Sequence, residues 1–199
     1  MTKIKLCGLR RAEDIEAAVL LKPEYIGFVF YKKSKRYISP EEAHILKSIL
    51  DTDHIKAVGV FVNENPKTVA DLLEKGIIDI AQLHGVEDES YIKALRKLTD
   101  RPLIKAFKIK TKEDLKKAEA SSADMILLDA GMGDGVSFDW DLLKSFSRPY
   151  ILAGGLDPLN VKDAVEKLHP YGVDVSSGIE TAGVKDIDKM REFVFRVRG

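Results

Sequence analysis

Lys3-Ile4-Lys5-Leu6-Cys7-Gly8, running on into Leu9-Arg10-Arg11, is the stretch on which the fold turns. Its residues have the apolar alternation of a strand, and the turn that ends it holds a single glycine. An open doubly wound sheet ordinarily follows its first strand with a Gly-x-Gly-x-x-Gly turn. Gly8-Leu9-Arg10-Arg11 does not carry one. Seven further strand-like runs follow at 24–30, 56–62, 79–85, 102–109, 125–130, 150–156 and 172–179, with starts 21 to 32 residues apart, about one strand-and-helix unit each. Eight such units predict an α/β protein with a single (β/α)8 TIM barrel, compact for that fold, forming one catalytic domain over residues 1–199.

The segments between the runs carry helix-start signals. Ser39-Pro40-Glu41-Glu42 places a capping serine before a proline, Asn65-Pro66 repeats the device, and Thr111-Lys112-Glu113-Asp114 opens a third helix. Gly76 suits a helix end. A last helix is expected over about 186–197, acidic early and with Arg191, Arg196 and Arg198 late, which complements its dipole.

Composition narrows the class of function. Lys and Arg together number 32, as do Asp and Glu, so the net charge is zero and there is no basic excess of the kind that nucleic acid or a membrane surface attracts. Attraction for an anion must then be local. One cysteine makes neither an internal disulfide nor a cysteine-rich zinc site. His44, His54, His84 and His169 show no metal-ligand spacing, so no metal is expected. Met1-Thr2-Lys3-Ile4 runs straight into a strand pattern without a signal-peptide pattern, and no apolar stretch reaches the ~20 residues that span a bilayer. A cytoplasmic location is expected.

In this fold the active site lies at the C-terminal ends of the strands. The first run ends in Cys7, the fourth in His84 and the sixth in Asp129, and the second leads into the basic loop Tyr31-Lys32-Lys33-Ser34-Lys35-Arg36-Tyr37. The seventh ends in Ala153-Gly154-Gly155 and the eighth in Asp174-Val175-Ser176-Ser177-Gly178. Small residues there let backbone N–H groups approach an anion, in the two loops where this fold most often binds phosphate. A short helix beginning near Gly178-Ile179-Glu180 is expected to add its positive end. Cys7 reads equally as a general base or as an inert buried small residue. Asp129 reads as a proton donor, kept protonated by burial, or as a turn residue. His84 is a candidate hydrogen-bond donor to substrate, and Arg36 either joins a solvated charge run or reaches a carboxylate with two bonds. Strand parity puts Lys5 on the same face as Cys7, with Asp174 and Ser176 sharing a face of the neighbouring eighth strand. A lysine inside a barrel needs a partner, and a Lys5–Asp174 ion pair beneath the site is predicted.

These residues together resemble the phosphoribosylanthranilate isomerase family. The resemblance is carried by Lys5-Leu6-Cys7-Gly8-Leu9, Gly27-Phe28-Val29-Phe30 with Ser34-Lys35-Arg36, Val58-Gly59-Val60-Phe61-Val62-Asn63, Gln82-Leu83-His84-Gly85 and Leu127-Leu128-Asp129. It continues through Phe138-Asp139-Trp140, Leu152-Ala153-Gly154-Gly155-Leu156 and Asp174-Val175-Ser176-Ser177-Gly178-Ile179-Glu180, nearly the whole length. It implies an Amadori rearrangement of N-(5-phosphoribosyl)anthranilate to 1-(2-carboxyphenylamino)-1-deoxyribulose 5-phosphate, the third step of tryptophan synthesis from chorismate. No cofactor or metal is implied. Asp129 is then the general acid and Cys7 the general base. Arg36 lies near the anthranilate, His84 and Asp174 touch substrate, and Gly154, Gly155, Ser176 and Ser177 hold the phosphate. The implied partner is a phosphorylated small molecule, to a monomer or homodimer. The chain departs from the family pattern at Gly131-Met132-Gly133-Asp134-Gly135-Val136-Ser137, where Met132 and Asp134 replace a glycine and a threonine.

Three other readings compete. The related aminoaldose isomerase of histidine synthesis places an aspartate where this chain has Cys7. Indole-glycerol-phosphate synthase has a catalytic lysine and an N-terminal extension. A catalytically silent phosphate-binding barrel keeps the glycines and serines but has no need of Cys7 and Asp129.

Overall fold

Side-chain parity along the strands separates two apolar cores. The computed structural model describes residues 1–50, 54–131 and 140–199. Its strands are β1 (Lys3–Cys7), β2 (Tyr25–Val29), β3 (Lys56–Phe61), β4 (Ile80–Leu83), β5 (Leu103–Lys108), β6 (Met125–Asp129), β7 (Tyr150–Ala153) and β8 (Gly172–Val175). All pair in parallel with their neighbours, and β8 pairs back onto β1 to close an eight-stranded barrel. Tyr25, Val58, Ile80, Ile104, Leu127 and Ile151 fill its interior. The opposite faces of the same strands, including Ile4, Leu6, Phe28, Phe61, Leu128 and Val173, pack against the surrounding helices. A strand buried on both faces reads as a near-continuous apolar run, which explains why these segments stand out in the sequence.

The helices are α1 (Ala12–Leu21), α2 (Pro40–Lys47), α3 (Pro66–Glu74), α4 (Glu89–Arg96), α5 (Lys112–Glu119), α6 (Val161–Leu168) and α7 (Ile187–Arg198). Their predicted starts are observed. Ser39 accepts from the Glu42 N–H and Thr111 from the Asp114 N–H, each completing a capping box, and Asn65 accepts from the Lys67 N–H. Gly76 follows α3 with φ of +68°, the left-handed conformation that a helix end favours in glycine. Asp186 caps α7 through the N–H groups of Asp188 and Lys189. Among the described residues no helix is long and apolar enough to cross a membrane.

One boundary differs from expectation in a way that shapes the site. The eighth strand stops at Val175 rather than running to 179, because Ser176 leaves the extended region with φ −129° and ψ −78°. A single 3-10 turn, Ser177–Ile179, takes the place of the expected helix at 178–180. Glu180 then begins a small antiparallel hairpin of β9 (Glu180–Thr181) and β10 (Val184–Lys185). A three-residue turn has no useful macrodipole, so any anion held there meets individual N–H groups.

Helix α7 offers a direct test of which face is core. Phe193 is fully buried, whereas Phe195, two residues on, is 62% exposed. Phe193→Ala is expected to cost about 3–5 kcal/mol, and Phe195→Ala less than about 0.5 kcal/mol. Urea unfolding of the two variants measures the difference, and equal losses contradict the assigned face.

Candidate active site

The C-terminal mouth of the barrel holds a cavity of about 300 Å³. Cys7, Arg36, His84, Asp129, Gly154, Gly155, Asp174, Ser176 and Ser177 all line it. Every site residue expected from the sequence is thus gathered at one place, contributed by six different strands and the loops that follow them. Of the remaining histidines, His44 and His169 lie on the exposed surface, away from the cavity.

Cys7 is the last residue of β1 and is buried. Its register partner on β2 is Gly27, and a β-carbon at residue 27 would stand 2.6 Å from the Cys7 sulfur. Only glycine leaves that space to the thiol. One layer below, Lys5 is completely buried, and its Nζ donates to Asp174 Oδ1 at 2.8 Å. The predicted ion pair is present, across the β1–β8 seam where Lys5 and Asp174 are register partners. Burial opposes charge on Lys5, but the Asp174 carboxylate and the Cys7 thiolate more than offset it, and the ammonium is held above its ordinary value. Burial pushes the Cys7 thiol up. The Lys5 ammonium pulls it back through charge and a hydrogen bond, Asp174 opposes that, and the thiol stays above its ordinary value.

Asp129, at the end of β6, is half-buried. Its Oδ1 accepts the Gly131 N–H at 3.0 Å and its Oδ2 lies 3.6 Å from His84 Nε2. Gln82 Nε2 stands 2.8 Å from His84 Nδ1. If the amide donates there, the imidazole carries its proton on Nε2, facing the carboxylate. The His84 side chain, the Gly131 N–H and Lys108 together outweigh burial and hold the Asp129 carboxyl below its usual range. The expectation that burial keeps this acid protonated is therefore reversed in the free protein.

The phosphate-type loops interlock. Gly154 and Gly155 have φ of +95° and +65°. A β-carbon at Gly178 would meet the Leu156 carbonyl oxygen at 2.0 Å, so the loops after β7 and β8 touch backbone to backbone. Among the described residues no protein acceptor takes the N–H of Gly155 or Ser177. Ser176 Oγ donates instead to the Cys7 carbonyl at 3.1 Å.

Of its two readings, Arg36 follows the second, reaching a carboxylate with two bonds, but that carboxylate belongs to the protein itself. Its Nε and Nη2 donate to Glu180 Oε1 and Oε2 at 2.6 and 2.8 Å, and Lys185 Nζ donates to the same Glu180 Oε1 at 2.7 Å. Glu180, Lys185 and Gln82 carry no functional signal in the sequence. Gln82 was within reach of strand parity, two residues before His84, but the distant pairing of Glu180 with Arg36 had no local signal. The unusual segment with Met132 and Asp134, and the Phe138-Asp139 part of the family pattern, lie outside the described residues.

Comparison with known proteins shows the family of the chain. The family model described as N-(5'phosphoribosyl)anthranilate (PRA) isomerase matches residues 4–196. An N-(5'-phosphoribosyl)anthranilate isomerase of Endomicrobium trichonymphae is 47% identical over 199 residues, covering 98% of this chain and 97% of the relative. The crystal structure of phosphoribosyl anthranilate isomerase from Thermotoga maritima superposes with a TM-score of 0.91 at 36% identity, over 100% of both chains. A solved complex of such an enzyme with reduced 1-(o-carboxyphenylamino)-1-deoxyribulose 5-phosphate gives a TM-score of 0.89, again at 36% identity over 100% of both chains.

The buried pair at the base of the site is testable by stability alone. Asp174→Ala is expected to cost about 3–5 kcal/mol, because it strands the Lys5 ammonium. The double variant Lys5→Met/Asp174→Leu should recover most of that loss in urea unfolding. A double variant no more stable than Asp174→Ala contradicts the pairing.

Proposed function

The chain belongs to the N-(5'-phosphoribosyl)anthranilate isomerase family, and on that premise we propose how its own residues carry the reaction. The reaction is the isomerase step of tryptophan biosynthesis. The aminoaldose N-(5-phosphoribosyl)anthranilate is rearranged to the aminoketose 1-(2-carboxyphenylamino)-1-deoxyribulose 5-phosphate. The observation that carries the assignment of roles is the convergence of Cys7, Asp129 and the two small-residue loops on one cavity.

The substrate phosphate rests in the loops at Gly154-Gly155 and Ser176-Ser177, where backbone N–H groups meet its oxygens. That fixes the ribose across the barrel mouth. Asp129, as general acid, gives a proton to the ribose ring oxygen. The bond from C1 to that oxygen breaks, and the anilino nitrogen lone pair forms the C1–N double bond of a Schiff base. Cys7, as general base, takes the C2 proton. The electron pair left on C2 moves toward the Schiff base nitrogen and gives an enolamine, which tautomerises to the ketone. Each such proton transfer contributes about 10²–10⁴-fold. Arg36 binds the anthranilate carboxylate, His84 orients Asp129 and Asp174 holds a substrate hydroxyl.

Lys5 answers how a buried thiol acts as a base. A thiolate taken out of water is costly. Directly below Cys7, the Lys5 ammonium supplies the compensating charge, and Asp174 keeps that ammonium protonated. The free site holds the proton on Cys7 and the charge on Asp129, whereas turnover needs the reverse. The two forms carry the same number of protons, so the working form is a minor microstate of one singly protonated pair. The chain works as one barrel domain over residues 1–199, in the cytoplasm, where a lone thiol stays reduced.

Two kinetic experiments test this. With phosphoribosyl anthranilate as substrate and its fluorescence as the signal, Asp129→Asn and Cys7→Ser should each lower kcat by about 10²-fold or more with unchanged unfolding midpoints. Full turnover in Cys7→Ser contradicts the base assignment. For the native protein, kcat/KM should hold level through the ordinary thiol range and fall only above it. There the pair loses its single proton and Asp129 can no longer donate. A fall centred below the ordinary thiol value of about 8.5 contradicts the raised Cys7.

A further inference from the structure

Arginine offers two edges to a carboxylate, Nε with Nη2 and Nη1 with Nη2. In Arg36 the first edge is taken, by both oxygens of Glu180 at 2.6 and 2.8 Å. Among the described residues no acceptor takes Nη1, and Arg36 lines the cavity. Such an arrangement fixes the plane of the guanidinium and leaves its second edge for a ligand. An internal carboxylate this close would by itself cancel the attraction of Arg36 for another anion. Lys185 prevents that. Its Nζ is nearly buried, donates to Glu180 Oε1 at 2.7 Å and leaves the three-residue cluster with one net positive charge.

The cluster is tied to the rest of the site. Lys185 Nζ also donates to the Ser176 carbonyl at 2.8 Å, and Ser176 Oγ to the Cys7 carbonyl at 3.1 Å. Glu180 and Lys185 face each other as register partners in the β9–β10 hairpin, which emerges directly from the phosphate-type loop. Gly8 completes the fit, since a β-carbon there would stand 2.5 Å from Arg36 Cδ.

We propose that Glu180, braced by Lys185, is the positioning residue that turns the open edge of Arg36 toward the aromatic carboxylate of the substrate, so that the β9–β10 hairpin sets specificity for a carboxylated aniline. This rests on the assignment of Arg36 to that carboxylate. The state of Glu180 agrees with it. Burial disfavours its charge, but Arg36 and Lys185 outweigh that and hold its carboxyl down at about 2, ionised at any working pH.

The test compares phosphoribosyl anthranilate with phosphoribosyl aniline, which lacks the carboxylate. Glu180→Ala should raise KM for the anthranilate substrate about tenfold or more, change kcat less than about threefold, and leave KM for the aniline compound as in the native protein. Those changes are the fold equivalents of losing one charge-assisted contact of about 1.5–3 kcal/mol. Glu180→Gln, which keeps one acceptor oxygen, should fall between. Arg36→Ala should show the same selectivity, and Glu180→Ala/Arg36→Ala should be no worse than Arg36→Ala alone. A partly unfolded preparation lowers kcat for both substrates alike and leaves the KM comparison intact. Equal rises in KM for the two substrates, or a native KM for the anthranilate in Glu180→Ala, overturn the proposal. If Arg36→Ala itself shows no selectivity, the assignment of Arg36 fails and the proposal falls with it.

Discussion

A charged lysine inside a barrel is the constraint around which the site is arranged. Lys5 is fully buried among apolar neighbours, a position that costs several kcal/mol unless the charge is met. Asp174 meets it at 2.8 Å, and it does so only because β8 pairs with β1 in the register that sets these two residues side by side. A slip of one residue would turn one of them to the opposite face of the wall. Barrel closure and site electrostatics are therefore one requirement. The seam that closes the sheet also carries the charge beneath the thiol.

From that pair upward, the mouth consists of charges held against internal partners. Cys7 is held above its ordinary value and Asp129 below it, each away from the protonation state proposed for it in turnover. Their surroundings explain why. The thiol is the more buried of the two, and the carboxylate sees His84, a backbone N–H and Lys108. Arg36 is likewise spoken for by Glu180 on one edge. The local positive field that a net-neutral chain needs for an anionic substrate is built from such compensated clusters rather than from a basic surface.

The sequence was most legible where period and parity decide. Continuous β-branched runs mark strands buried on both faces, and their number implies closure. Parity then carried Lys5 and Asp174 to the correct side, and helix starts at Ser39, Asn65 and Thr111 followed from side chains that satisfy their own backbone. Strand ends were overextended, most of all after β8, because Val175-Ser176-Ser177 gives no apolar signal at the point where Ser176 turns out of the sheet. The partner of Arg36 was hidden for a different reason. Glu180 lies 144 residues away and reaches it through a two-strand hairpin too short to show any period. The protonation of Asp129 was read from its apolar neighbours in sequence, whereas His84 and Gly131, its neighbours in space, decide it.

The contact between Gly27 and Cys7 limits which side chains the two positions can hold together. Because a β-carbon at residue 27 would press on the sulfur at 2.6 Å, the thiol and the missing side chain occupy one volume between them. Position 27 cannot gain a side chain while the sulfur stays where it is. Any larger residue at 27 would have to displace the Cys7 side chain, and a longer side chain at 7 would still need the glycine. The two residues share one volume, although 19 residues lie between them along the chain.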